Sequence, residues 1–392
     1  MTAKQGGINV IQIDFFDKDV VGTLVPIFSL NPDKIYFFTD RREMVGMDIK
    51  YMTNAIKRRL PNTFVDFISV DIDDMDDIYG KLTTIAKKDQ DEIAYVDLTG
   101  GTELMSICGY RVSEEFGFTP IYLDTKRRRL NNAITGELVA EAVSIDLTDF
   151  FNAIGAKQLS PSHDMPKEEE FDRILSMSEI LFDDVEAWQV LYQHLSTAAK
   201  TANQKLQVRV RPNGKLGTNA VRRIMREFEA HGFWEAEDDD IYRYGNIRYM
   251  HYMTTFGIWL EMYIYIKALD FFDEAALGVV VDWRAADDLD TEDNEIDVLG
   301  IKRSVPVLIS CKMRKLASGD LYEAGYIAKR LSESGTKSVI ATTYPVKEEG
   351  SQPKRMYQRM KKLRIGLIET RSFKEKTPAE IFNQAMQMGE DF

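Results

Sequence analysis

The chain has 392 residues, 63 of them acidic and 50 basic, for a formal net charge of −13 at pH 7. That length favours two or three domains, and 44% hydrophobic with 11% aromatic content excludes general disorder. The acidity argues against an overall coat of positive charge for holding nucleic acid, though an average can hide local tracts.

The first 125 residues alternate strand and helix patterns. Ile8–Phe16 is apolar and rich in β-branched residues, and Lys34–Asp40, Phe64–Val70, Glu92–Thr99 and Thr119–Asp124 are similar. Met44–Leu60, Asp74–Lys88 and Thr102–Phe116 carry helical patterns between them. Apolar strands separated by such helices predict a parallel sheet covered on both faces, a Rossmann-like α/β domain. Arg127–Val143 reads as a hairpin turning at Thr135 and Gly136.

Residues 155–175 hold two prolines and a charge run and read as a linker. Residues 176–250 mix helix with short strands and suggest a small helical or winged-helix-like region. From 251 the order changes. Thr254–Phe272 reads as a helix, and Leu277–Arg284, Glu295–Lys302 and Val305–Lys312 as three strands. Gly319–Ser334 is helical, Lys337–Thr343 a strand, Gln352–Leu363 a helix and Ile365–Thr370 a last strand. The expected division is 1–154, 155–175, 176–250 and 251–392, with α/β folds at both ends.

Cys108 and Cys311, far apart in sequence, argue against a disulfide framework or a cysteine-based zinc site and suit a reducing cytoplasm. The first residues run straight into an apolar strand and do not read as a signal peptide. The apolar runs Val20–Leu30 and Tyr249–Leu260 are too short to span a bilayer. The expectation is a soluble cytoplasmic protein.

Two features carry chemistry. The first is Thr99-Gly100-Gly101-Thr102, between the fourth strand and the next helix. Glycines there let the backbone approach a ligand, and the first helical N–H groups favour an anion such as a phosphate. The other reading is a tight turn with Thr102 as helix cap. The spacing matches neither a P-loop nor a dinucleotide-binding GxGxxG. Asp14-Phe15-Phe16 and Thr39-Asp40-Arg41-Arg42 end the first two strands on the same rim. Arg41 and Arg42 either meet phosphate or are solvated. Phe15 and Phe16 either stack on a base or pack in the core.

The second feature runs from Thr291 and Glu292 to Lys312. If Arg303 and Ser304 form a two-residue turn, paired positions sum to 607. Asp297 then faces Ser310, Glu295 faces Lys312, and all four share one side. Carboxylates with a lysine suit metal-assisted phosphodiester cleavage. An exposed Glu295–Lys312 ion pair is the other reading. On the preceding helix, Glu261 flanks an apolar stripe of Ile258, Met262, Tyr265 and Leu269. It is either solvated or aimed at the sheet edge.

A helix glutamate in Gly257–Glu261, then Asn294–Asp297, then Ser310–Lys312 on adjacent strands resembles the PD-(D/E)xK nuclease fold. The Rossmann-like domain with Thr99–Thr102 is similar to a CARF sensor domain. Together they resemble CRISPR ancillary nucleases with one domain of each kind, over most of the chain and least over 176–250. The resemblance implies a homodimer whose sensor cleft binds a cyclic oligoadenylate, commonly cyclic tetra-adenylate. It also implies Mn²⁺- or Mg²⁺-dependent cleavage of DNA, RNA or both. By matched position it implies ligand contacts at Thr99, Gly100, Gly101 and Thr102. Glu261, Asp297 and Lys312 would form the catalytic group, with Glu261 and Asp297 on the metal.

There are two departures. Ser310 stands where many members carry glutamate, and Glu295 on the same face could supply that charge. Glu103 follows the glycine pair where a basic residue is common.

The rival reading is a CARF-type ligand-sensing, DNA-binding regulator without nuclease activity. Lys205, Arg209, Arg211, Lys215, Arg222, Arg223 and Arg226 give seven positive charges in 205–226 with no acid. Such a stretch either tracks phosphates or is a solvated surface. A second tract is Lys354, Arg355, Arg359, Lys361, Lys362 and Arg364. Cleavage of the messenger by the sensor itself ranks below both. None of the four histidines, His163, His194, His231 and His251, lies in the glycine loop.

Overall fold

The computed structural model describes residues 9–42, 46–158, 164–201, 206–282, 293–331, 335–346 and 351–388. His163, Lys205, Thr291 and Glu292 lie outside them. The N-terminal unit comprises β1 (Val10–Phe15), α1 (Val20–Leu30), β2 (Lys34–Asp40), α2 (Met47–Arg59), β3 (Phe64–Val70) and α3 (Met75–Lys88). It continues with β4 (Ile93–Asp97), α4 (Glu103–Phe116), β5 (Thr119–Asp124), β6 (Arg129–Asn132), β7 (Leu138–Glu141) and α5 (Leu147–Ile154). The sheet order is β3-β2-β1-β4-β5-β6-β7, parallel through β5 and antiparallel in the last two strands. The order reverses between β1 and β4. Their carboxyl ends therefore flank the crevice where open α/β sheets bind ligands.

β8 (Lys157–Gln158) leaves this unit and pairs with the far sheet. The middle region holds α6 (Phe171–Asp183), α7 (Val185–Thr201), β9 (Gln207–Arg209), α8 (Asn219–Ala230), β10 (Trp234–Asp238), β11 (Ile241–Tyr244) and α9 (Ile247–Thr254). β10, β11 and β9 form a small antiparallel sheet in that order.

The C-terminal unit holds α10 (Ile258–Leu269), β12 (Glu274–Asp282), β13 (Asn294–Lys302), β14 (Val305–Lys312) and α11 (Ser318–Leu331). β15 (Lys337–Thr342), α12 (Ser351–Lys362), β16 (Ile365–Glu369) and α13 (Pro378–Gln387) complete it. Its order is β16-β15-β14-β13-β12-β8. A mixed α/β architecture at both ends agrees with the sequence reading.

Several details differ from that reading. The helix expected over 254–272 is shorter, Ile258–Leu269, and Thr255–Gly257 separate it from α9. α10 is not an amphipathic stripe either. Nearly all its side chains are buried, whereas Leu269, expected in the stripe, is exposed. α6 begins inside the expected linker, and α13 has no counterpart in the sequence reading.

One core fills one face of the N-terminal sheet, around Phe15, Phe38 and Val96. A second joins the other face, including Phe16 and Val20, to Ile296, Leu308 and α11 of the C-terminal unit. A third joins the middle helices to α10 and the opposite face of the C-terminal sheet, through Trp188, Trp259, Val307 and Ile309. Apolar packing therefore runs continuously from the N-terminal sheet to the C-terminal one. No helix among the described residues is long and apolar enough to cross a membrane.

Candidate functional site

The first site sits where β1 and β4 diverge. Asp97 ends β4 and is 1% exposed. Its Oδ1 accepts the Thr99 N–H at 2.9 Å, while Oδ2 is buried without a hydrogen-bond partner. Burial first, then the charge of Asp17, pushes its pKa up to about 7. Asp14, buried on β1, accepts from the Gln12 side chain at 3.1 Å. Burial, then the charges of Asp97 and Asp17, raises its pKa well above the carboxylate range.

The glycine loop lies over these acids. Thr99 Oγ1 accepts the Leu123 N–H at 3.0 Å, tying the loop to β5. Thr102 caps α4, its hydroxyl accepting the Met105 N–H at 3.3 Å. Gly101 has φ +80°, and a Cβ there would lie 2.4 Å from Phe15 Cβ. Only glycine fits that conformation and that approach. Gly101 N–H donates to Asp17 Oδ2 at 3.1 Å, and Asp17 Oδ1 accepts the Asp19 N–H at 2.7 Å. A carboxylate thus occupies an amide that the sequence offers to a phosphate.

The other rim residues behave differently. Phe15 and Phe16 are both core side chains. Phe15 meets Phe38 edge-on at 6.2 Å, and Phe16 meets Phe37 and Phe67 at 5.7 Å. Stacking on a base is corrected for both, because a sheet covered on two faces buries successive side chains. Thr39 is fully buried. Asp40 is bound by Arg42 at 2.5 Å, and Arg41 pairs with Asp77 at 3.2 Å. Glu103 is exposed.

The second site is the β13–β14 hairpin. Arg303 and Ser304 both have positive φ, 51° and 69°, as a two-residue turn matching the sheet twist requires. Lys302 pairs with Val305 and Val298 with Ile309, so the expected register holds. Ser310 Oγ donates to Asp297 Oδ2 at 3.3 Å, and the Cys311 N–H donates to the same oxygen at 2.5 Å. Lys312 Nζ lies 3.8 Å from it. Asp297 is pushed up to about 6 by burial first, then by the charge of Glu261, with Glu295 adding to it against Lys312. Glu295, Asp297, Ser310 and Lys312 line one cleft, closed by Glu323 and Ile327 of α11. Glu323 was missed from sequence because only the packing of α11 brings it there. Glu261 comes from α10, which packs in the core on the opposite face.

Oxygen donors alone suit Mg²⁺ or Mn²⁺. Among the described residues no three His, Cys, Asp or Glu side chains are gathered tightly enough to hold a metal by themselves. The chemistry still fits. The hydrogen bonds to Asp297 all fall on Oδ2, leaving Oδ1 available, and burial, then the charge of Glu261, holds its pKa up.

The two sites are physically joined. A cavity of about 150 Å³ is bordered by Phe16, Asp17 and Lys18 at the rim and by Lys329, Arg330 and Leu331 in the last turn of α11. The same helix closes the hairpin cleft. The hairpin turn also docks on the N-terminal unit, Ser304 Oγ accepting the Ile145 N–H at 3.1 Å.

Residues 24–154 match a family model described as the Card1 CARF domain. No curated protein matches the chain. Among solved structures, protein VC1899 from Vibrio cholerae is 15% identical with a TM-score of 0.76, over 97% of each chain. Can2 from Sulfobacillus thermosulfidooxidans, solved in complex with cyclic tetra-adenylate, is 14% identical with a TM-score of 0.67, over 97% of this chain and 99% of that one. A type III CRISPR defence DNA nuclease activated by cyclic oligoadenylate is 13% identical with a TM-score of 0.56. That match takes in 99% of this chain and 55% of the other. At these identities the likeness is one of fold.

Proposed function

We propose that this chain is an endonuclease of type III CRISPR defence, switched on by cyclic oligoadenylate and dependent on Mn²⁺ or Mg²⁺. One observation carries the nuclease half. The hairpin register brings Asp297 against Ser310, with Lys312 3.8 Å away and the charge of Glu261 reaching the same carboxyl. The sensing half is supported by the CARF match over residues 24–154 and by the fold shared with Can2. Cyclic tetra-adenylate is the proposed activator, and a two-fold ring suits a homodimer with a two-fold cleft. The substrate is DNA, RNA or both.

When bound, the divalent ion supplies Lewis acidity at the scissile phosphodiester. Asp297 and Glu261 would hold it, and Glu295 would provide the charge that Ser310 lacks. Ser310 orients Asp297 by donating to Oδ2. Lys312 stabilises the negative charge that develops on the phosphate and orients the attacking water. At the sensor, a ligand phosphate takes the Gly101 N–H in place of Asp17. Asp17 borders the cavity at the last turn of α11, so its displacement acts on the helix that closes the cleft. A ligand that prefers this altered arrangement shifts the population toward it.

Lys312→Ala tests the assignment. The variant should lose cleavage while binding cyclic tetra-adenylate as the parent does. Normal cleavage by Lys312→Ala would remove the hairpin from the mechanism.

A further inference from the structure

The middle region carries a basic surface that neither site uses. α7, β9, α8 and the β10–β11 hairpin have the arrangement of a winged helix, with α8 in the place of the recognition helix. Val221, Ile224, Met225 and Phe228 form the buried side of α8. Phe228 packs against Trp188, Trp234 and Trp259, so the helix rests on a rigid aromatic base. Thr218 caps its start, its hydroxyl accepting the Val221 N–H at 3.3 Å.

The outer side of α8 reads Asn219, Arg222, Arg223 and Arg226, all exposed. Their spacing of three, four and seven puts them on one face. Among the described residues, none of these three arginines has a carboxylate within ion-pairing distance. Arg222 reaches only the Pro212 carbonyl and Arg226 only the Arg222 carbonyl, each at 3.4 Å. The neighbouring arginines are different. Arg209 and Arg211 share Asp240 at 3.3 and 3.0 Å, and Arg243 pairs with Glu237. The wing also exposes Glu235, Asp238 and Asp239. Positive charge left uncompensated is therefore concentrated on the helix. A groove of about 460 Å³ runs beside it, lined by Asn219, Arg222, Arg226 and Tyr242 together with the carboxylate of Glu229.

We propose that α8 is a docking helix for B-form duplex DNA. A protruding helix fits the B-DNA major groove, which is about 12 Å wide. The deep, narrow major groove of A-form RNA does not admit one. The three arginines neutralise phosphates or reach guanine edges, and Asn219 at the start of the helix suits an adenine edge. The acidic wing stays off the backbone, so the contact is carried by the helix and not by the hairpin.

The test uses the full chain in EDTA, so that its outcome is separate from that of the nuclease proposal. Anisotropy of a labelled 20-base-pair duplex is titrated at several salt concentrations. The parent should bind DNA and bind the RNA duplex of the same sequence far more weakly. Arg222→Ala/Arg223→Ala/Arg226→Ala should reduce the dependence of log affinity on log salt by up to about 2.7, at about 0.9 for each arginine that contacts a phosphate. The triple lysine variant, which keeps the charge, should keep most non-specific binding and so separates lost charge from lost fold. Unchanged DNA binding in the alanine variant, or equal binding of the RNA duplex, would overturn the proposal. A change in oligomeric mass on removing the arginines, seen by light scattering, would make the occupant a second copy of the chain and overturn it equally.

Discussion

Replacing Asp97 with asparagine should stabilise the sensor, and by an amount that depends on pH. Burial and Asp17 raise this carboxyl from its ordinary 3.8 to about 7. The folded state therefore holds the proton more tightly than the unfolded state. The associated stability is full below pH 3.8 and is lost as pH rises through about 7. At pH 8 the ionised carboxyl costs the fold about 4 kcal/mol, from about 1.36 kcal/mol for each pKa unit. At pH 5 the cost is only about 2 kcal/mol by the same arithmetic. Asparagine has no charge to bury, keeps an acceptor for the Thr99 N–H, and can offer its amide toward Asp14. Hydrogen exchange of the β4 and α4 amides reads the local opening. Relative to the parent, exchange in Asp97→Asn should slow on the order of a thousandfold at pH 8 and on the order of tenfold at pH 5. Faster exchange in the variant at pH 8, or the same ratio at both pH values, would refute the burial argument.

Three further outcomes follow from the two sites. Asp17→Asn removes the carboxylate on the Gly101 N–H, so calorimetry should find cyclic tetra-adenylate bound at least about tenfold more tightly, the scale of one charged hydrogen bond. Gly101→Ala combines φ +80° with a 2.4 Å approach to Phe15 and should abolish ligand binding in the same assay. Ser310→Glu adds a carboxylate beside Asp297 and should lower the Mn²⁺ concentration needed for half-maximal cleavage. An unchanged metal titration would mean that Glu295 already supplies that charge in full.

Local rules made much of this legible. Five parallel strands followed from apolar runs spaced by helices. The 607 register followed from one assumption, a two-residue turn at Arg303 and Ser304, because pairing in a hairpin is set by its turn. Thr102 as a cap followed from its place before a helix. What escaped was non-local. The hold of Asp17 on Gly101 joins residues 84 positions apart. β8 is two residues long and exists only by pairing with β12. Glu323 belongs to the cleft only because α11 crosses the hairpin. Phe15 and Phe16 offered two readings, and the sheet, covered on both faces, buried both. α10 misled for a related reason. A helix buried on nearly every side has no single stripe, so its periodicity could not say which face Glu261 leaves by.

The central claim is that occupancy of the sensor controls cutting at the hairpin. The most direct measurement is cleavage of labelled single- and double-stranded DNA and RNA in Mn²⁺, with cyclic tetra-adenylate titrated into the full chain. Cutting should be negligible without the ring, should saturate near one ring for two chains and should disappear in Lys312→Ala. Equal cutting with and without the ring, or cutting that survives in Lys312→Ala, would contradict the claim.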